Sequence, residues 1–307
     1  MEQRRIGSLS VSLAGLGTNN LGRRLDAAET RRVVEAALDA GVTHFDTADI
    51  YGEGRSEEYL GRALGARRDG VTVASKFGMG DRGGAARQAD WVPRSVEASL
   101  RRLGTDRLDL LYYHRPDPGT PILETLRVMN GLVDGGLVRE LGCSNFSAAQ
   151  LEEAARVAGE NGLRAFAVVE NEYSLFERAP EEDGVLAAAA RLGAAFVPYF
   201  PLASGVLSGA YRRGRATPRV SRLGDGRPAE RVVSAARLDA VERLAGYAET
   251  RGHALLELAL SYLAAHEPVT SVIAGATSAE QARANAAATG AWALSAEELD
   301  EIAALLG

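Results

Sequence analysis

The feature that most constrains this chain is a repeated alternation. Short apolar runs that read as strands recur at residues 13–17, 43–46, 71–76, 108–114, 138–143, 167–171, 195–199 and 269–273. Between and after them the apolar residues take helical spacing, over 27–40, 57–64, 93–103, 122–133, 148–158, 185–192, 234–250, 254–265, 279–288 and 296–306. Strands alternating with helices predict parallel pairing through right-handed crossovers. Eight such units in 307 residues predict an α/β protein, a single (β/α)8 TIM barrel over residues 1–307 with an N-terminal β-hairpin near 5–11. The runs are continuous rather than alternating, as expected of strands covered on both faces. Punctuation agrees: Asp26, Ser56 and Ser147 stand where helix N-caps belong, and Gly41, Gly104 and Gly193 where helices stop.

In such barrels the reacting groups come from the carboxyl ends of the strands. Asp46 ends the second predicted strand, Lys76 the third and His114 the fourth, and Tyr51 follows on the loop after the second. Taken singly, Asp46 reads as a strand-end cap, Tyr51 as a packed loop aromatic and His114 as a structural hydrogen-bonder. Lys76 resists that reading, because a lysine ending an apolar strand must be paired. Together the four suit proton delivery to a carbonyl oxygen: an ammonium favours phenolate and lowers the tyrosine pKa, and a carboxylate holds the ammonium charged. His44 is expected to face the helix layer, and His253 and His266 to lie at the surface.

Composition excludes several alternatives. A net charge of −6 offers no general attraction to nucleic acid or anionic lipid. The one cysteine, Cys143, forms neither an intrachain disulfide nor a cysteine-based metal site. The four histidines lack ligand spacing, which argues against a metal-dependent hydrolase built on His44 and Asp46. Gly15-Leu16-Gly17 lacks the third glycine of a dinucleotide fingerprint. No secretory leader precedes the first strand, and no apolar run reaches the ~20 residues a bilayer span needs. The expectation is a cytoplasmic enzyme with no bound metal, no membrane or nucleic-acid partner, and an open oligomeric state.

The segment Phe45-Asp46-Thr47-Ala48-Asp49-Ile50-Tyr51-Gly52 resembles the Asp-to-Tyr signature of the aldo-keto reductases. Lys76 within Ala74-Ser75-Lys76-Phe77-Gly78, His114 within Leu111-Tyr112-Tyr113-His114-Arg115, and Gly142-Cys143-Ser144-Asn145-Phe146 follow in the family's order. The resemblance runs from about Gly7 to Asn285. It implies NAD(P)H-dependent, reversible reduction of an aldehyde or ketone, with Tyr51 as general acid, Lys76 and Asp46 tuning it, and His114 orienting the substrate. It implies cofactor contacts from Thr18, Asn19, Asp46, Ser144, Asn145 and Glu170, and from Tyr199, Phe200, Pro201, Leu202, Ser204 and Gly205. Gly275, Thr277, Gln281 and Asn285 would take the adenosine end, where a helix N-terminus offers free N–H groups. Tyr51, His114 and Trp91 would line the substrate pocket. The alternative within the same resemblance is a cofactor-binding regulatory barrel of the channel β-subunit type, with little turnover.

The chain departs from its apparent family in places. Glu170 stands where many relatives have Gln beside the nicotinamide amide, and Phe200 where Ser is usual. Gly275, Thr277 and Gln281 stand where many carry a basic residue for the 2′-phosphate. Residues 210–231 hold seven arginines after the seventh strand, either a solvated loop or a basic flap over an anion. On the flap reading, Arg219 contacts the 2′-phosphate, and the cofactor is NADP(H) with NAD(H) also accepted. The Gly-rich residues 78–89 either line the substrate pocket or form a free loop.

Overall fold

The computed structural model describes residues 1–79, 85–212 and 233–306. An antiparallel hairpin comes first, β1 (Gln3–Ile6) with β2 (Leu9–Ser12). Eight parallel strands then close a barrel in chain order: β3 (Ala14–Gly17), β4 (His44–Asp46), β5 (Thr72–Phe77), β6 (Leu108–Tyr113), β7 (Val138–Ser144), β8 (Val168–Glu172), β9 (Ala195–Tyr199) and β10 (Val272–Gly275). The seam joins last to first, with Gly275 opposite Gly17. This is the (β/α)8 barrel with an N-terminal hairpin that the alternation predicts.

Side-chain alternation sorts each strand into two cores. On β6, Leu111 and Tyr113 face outward into the layer shared with the helices. Leu110 and Tyr112 face inward, where they join Ala74, Val168, Val197 and Ile273. Ile6, Leu9 and Val11 of the hairpin belong to that inner cluster and floor the amino end of the barrel. Arg4 of β1 fixes this plug by donating to the carbonyls of Ala264 and Val269.

Helix boundaries follow local chemistry. α1 (Ala27–Asp39) opens with a capping box, Asp26 accepting from the Glu29 amide and Glu29 accepting from the Asp26 amide. α2 (Arg55–Leu64) departs from expectation: its N-cap is Gly54, not Ser56. Ser56 is instead buried, with its hydroxyl on the carbonyl of Thr18. α3 (Ala85–Leu103) begins eight residues before Pro93, the residue expected to open it, so the proline lies inside the helix. α4 (Ile122–Asp134) and α5 (Ala148–Glu160) follow, α5 capped by Ser147. α6 (Ala179–Glu182) is a single turn that periodicity does not reveal. α7 (Val185–Leu192), α8 (Ala235–Glu249), α9 (Leu255–Ala264), α10 (Ala279–Ala288) and α11 (Ala296–Leu306) complete the described set.

The eighth barrel strand lies later than the apolar run at 269–273 implies. Val269 sits in a turn, its amide on His266, and meets β9 only through a bridge to Phe196. Among the described residues no helix is long and apolar enough to cross a membrane.

Candidate active site

The carboxyl ends of β4, β5 and β6 bring Asp46, Lys76 and His114 to one cavity of about 740 Å³, and Tyr51 reaches it from the turn after β4. That turn is tight. Gly52, Glu53 and Gly54 all take left-handed backbone, with φ of 56°, 59° and 89°. A Cβ on Gly52 would stand 3.0 Å from the carbonyl oxygen of Leu21, so the sharp return after Tyr51 needs glycine there.

Two buried polar clamps fix α2, and with it the Tyr51 turn, against the strands. Ser56 Oγ meets the hydroxyls of Thr18 and Thr47 at 2.9 and 3.0 Å. Ser75, next to Lys76, donates to Glu57 at 2.6 Å, and Arg102 holds the other oxygen of that carboxylate. Ser56 thus serves placement rather than helix initiation.

Lys76 is 2% exposed. Its ammonium donates to Asp46 and, at 3.1 Å, to the carbonyl of Thr47. Glu170 Oε2 lies 3.3 Å from the same nitrogen, without hydrogen-bond alignment. The nitrogen stands 5.7 Å from the centre of the Tyr51 ring and 5.3 Å from that of Tyr112. Gly142 makes room for Tyr112: a Cβ there would come within 2.6 Å of the ring.

Burial opposes charge on every member of this group. It would lower the Lys76 ammonium, but Asp46 and then Glu170 outweigh it and hold lysine above its ordinary value. It raises the Asp46 carboxyl, which Lys76 draws back. For Tyr51 burial also dominates, and with the Asp46 and Glu170 charges it exceeds the pull of Lys76. The phenol therefore sits above its ordinary value, opposite to the lowering expected from the lysine alone. His114 is pushed down to about 3, by burial first and then by Lys76 and Arg115, so its imidazole is neutral. Its ring meets Tyr51 edge-on at 6.2 Å.

His44 does not face the helix layer. It shares a strand face with Asp46, two residues on, while Phe45 between them joins the outer core. Burial and Lys76 push it down to about 3, and both ring nitrogens lack a hydrogen-bond partner among the described residues. The outlying histidines are half-buried, not at the surface: His253 stacks on Trp292 at 4.2 Å, and His266 packs against Tyr173 and Tyr262.

Ser144 and Asn145 follow at the end of β7. Ser144 Oγ donates to the Glu170 carbonyl at 2.8 Å. Asn145, at φ 62°, donates to the carbonyl of His114 and accepts from the Tyr199 hydroxyl at 2.7 Å. Beyond β9, Phe200, Ala203, Ser204 and Gly205 all have positive φ, a local concentration of strained backbone of the kind found at binding loops. At the far end, Ser278 caps α10, and Gln281 accepts from the amide and hydroxyl of Thr277.

All of Thr18, Asn19, Asp46, Tyr51, Lys76, His114, Ser144, Asn145, Glu170 and Tyr199 line the cavity. So do Phe200, Pro201, Leu202, Ser204, Gly205, Gly275, Thr277, Gln281 and Asn285. Trp91 is the exception: it packs on Phe77 at 6.2 Å and is not part of the lining. Arg219 lies outside the described residues, as do most of the Arg-rich loop and residues 80–84. Arg212, at the start of that loop, pairs with Glu242 and Glu249 instead of the cavity. Arg24 and Tyr211 were not anticipated in the lining. The Arg23-Arg24 pair follows the first barrel strand, and the rule that strand-to-helix loops build the site points to it.

The site is thus the carboxyl end of a (β/α)8 barrel, with a buried lysine between two carboxyl groups and a tyrosine beside it. The chain belongs to the aldo/keto reductase family, which it matches over residues 14–306. It is 35% identical over 293 residues to a probable voltage-gated potassium channel subunit beta of Oryza sativa subsp. japonica, covering 92% of this chain and 89% of that one. It is 31% identical over 322 residues to the L-glyceraldehyde 3-phosphate reductase of Escherichia coli O157:H7, covering 98% and 91%. Among solved structures, the glycerol dehydrogenase AKR11B4 from Gluconobacter oxydans superposes with a TM-score of 0.81 at 28% identity, over 99% of this chain and 94% of that one.

Proposed function

We propose that this protein reduces an aldehyde or ketone to the alcohol, reversibly, with a reduced nicotinamide dinucleotide. The observation that carries the reading is Lys76, buried under Tyr51 and paired with Asp46 at the base of the 740 Å³ cavity. The residues present fit such a cofactor. Hydroxyl and amide groups of Ser144 and Asn145 stand at one end, and a helix N-terminus with Thr277 and Ser278 hydroxyls at the other. When bound, the dinucleotide supplies the hydride that no side chain can supply.

The protein's share is proton delivery and placement. Tyr51 keeps its proton until a carbonyl oxygen gains electron density, then donates it. Lys76 stabilises the phenolate left behind, and Asp46 keeps Lys76 charged and in place. His114, neutral at working pH, offers a ring nitrogen to the substrate oxygen without competing for the proton. In the reverse direction the phenolate accepts the alcohol proton.

For the cofactor we infer NADP(H) with modest preference over NAD(H). Among the described residues, Lys76, Arg24 and Arg115 are the cations in the lining, and the adenosine end offers neutral donors. Arg219 remains our candidate for the 2′-phosphate, and Arg219→Ala should raise the Michaelis constant for NADPH more than for NADH. A small-molecule substrate and a cytoplasmic setting complete the reading.

The test is a panel of aldehydes, ketones and alcohols, followed by absorbance at the nicotinamide band. Turnover of at least one carbonyl by the wild type, lost in Tyr51→Phe, is the expected result. The name of the Oryza sativa relative, a probable channel subunit beta, favours a second reading; for this chain it would mean a regulatory barrel that holds cofactor with little turnover. Tight dinucleotide binding with no turnover across the panel would move the assignment there.

A further inference from the structure

Proton delivery from Tyr51 employs Lys76, Asp46 and His114 and leaves Glu170 without a task. Yet Glu170 is 1% exposed, borders the cavity, and has an oxygen without an aligned hydrogen bond. Lys76 therefore faces two carboxyl groups, Asp46 with a direct hydrogen bond and Glu170 at 3.3 Å. One ammonium cannot neutralise both in a buried site, so the less well bonded carboxyl keeps its proton. Burial first, and then Asp46, push Glu170 up to about 8, with Lys76 pulling the other way. The group is rigidly placed, because its backbone carbonyl accepts from both Ser144 Oγ and the Asn145 amide.

We propose that Glu170 is a proton-linked selector between the two redox forms of the bound nicotinamide: ionised, it favours the oxidised form, and protonated, it admits the reduced form without penalty. This rests on the dinucleotide reading above. The physical basis is one unit of charge. The oxidised nicotinamide ring is cationic and the reduced ring is neutral. A carboxylate buried at the Ser144–Asn145 end of the cavity therefore stabilises the first and not the second. Binding of the oxidised form expels the Glu170 proton, and binding of the reduced form leaves it in place. External pH then decides which form resides in the protein.

The groups facing Glu170 leave it the window near neutrality. They are Asp46 from β4, Lys76 from β5, Tyr112 from β6 and Tyr51 from its turn, with Tyr199 from β9 and Glu172 on the same strand in the same lining. His44 and His114 are pushed down to about 3. Burial pushes up Tyr51, Tyr112 and Cys143, and the carboxyl partners hold Lys76 high. Titration of a 2′-phosphate monoester, near ~6, is common to both redox forms of a 2′-phosphorylated dinucleotide and cancels in their ratio.

The experiment measures dissociation constants of the full-length protein for oxidised and reduced dinucleotide, by quenching of protein fluorescence, between pH 6.5 and 9. Wild type and Glu170→Gln are compared. In wild type the preference for the oxidised form should grow by up to about tenfold per pH unit below the Glu170 pKa and level off above it. In Glu170→Gln the ratio should be flat. Calorimetry in two buffers of different ionisation enthalpy should show proton release with the oxidised form only, a readout that needs no variant. A flat ratio in wild type, or a slope that survives in Glu170→Gln, overturns the proposal while leaving the dinucleotide reading intact. Failure of either form to bind at any pH overturns both.

Discussion

The two ends of this barrel are built from the same eight strands and could hardly differ more. At the amino end, inward-facing Leu110, Val168 and Val197 meet Ile6, Leu9 and Val11 of the hairpin in a dry, apolar floor. Towards the carboxyl ends of the barrel strands, the inward positions are Asp46, Lys76, His114 and Glu170. Among the described residues, left-handed backbone at residues other than glycine is confined to the carboxyl end too, at Glu53, Asn145, Phe200, Ala203 and Ser204. The contrast separates two tasks along one axis. The floor supplies apolar burial, and the mouth spends part of that stability on paired charges and strained turns.

Removing a residue from one end should therefore leave the other end's property alone. The largest effect is expected from Lys76→Met, which strips the cation from both carboxyl groups; turnover should fall below detection while the far-ultraviolet circular dichroism stays native. Tyr51→Phe keeps the ring and loses the proton, and turnover should drop ~10²–10⁴-fold with dinucleotide affinity unchanged. A near wild-type rate in that variant would falsify the assignment of Tyr51. At the other end, Leu9→Ala should cost about 2–5 kcal/mol in denaturant unfolding yet leave turnover per folded molecule intact. A loss of turnover beyond the loss of folded protein would show that the two ends are coupled.

Glu170→Gln sits on the boundary of the comparison and should alter stability in a pH-dependent way. An unfolded glutamate ionises near ~4.3, whereas the native carboxyl is raised to about 8. Between those values the native state holds the extra proton, so wild-type stability falls as pH rises. Glutamine has no such loss, and the melting-temperature gain of the variant should be larger at pH 8 than at pH 5. The smallest expected effect is at the periphery. Ser147→Ala removes the α5 capping box and should cost about 1 kcal/mol with no kinetic consequence.

Much of this was legible in the chain because strand and helix periods differ and glycines mark the breaks. The barrel, its hairpin and most helix limits follow from that pattern. The strand shift at Val272–Gly275 did not, since a buried turn at Val269 is as apolar as a strand and the terminal Gly275 looks like a breaker. His44 was misplaced because β4 spans three residues, all buried, and offers no alternation to read. Counting back from Asp46 in steps of two puts it inside. Ser56 looked like a cap by local sequence; its partners, Thr18 and Thr47, are contacts that only the folded barrel makes. The lowering expected for Tyr51 failed for a similar reason. A motif names the lysine beside the phenol, but not the depth of burial or the second carboxyl group.

The seam between β10 and β3 has a consequence for how the molecule comes into being. The amide of Val272 bonds to the carbonyl of Leu13, and Arg4 reaches Ala264 and Val269. The first barrel strand thus waits for the last one. Until then the barrel is an open sheet with two unpaired edges. The closing contacts are among the most distant in sequence that the described residues make, from Leu13 to Val272 and from Arg4 to Val269, so the entropy of the longest loop is lost before they form.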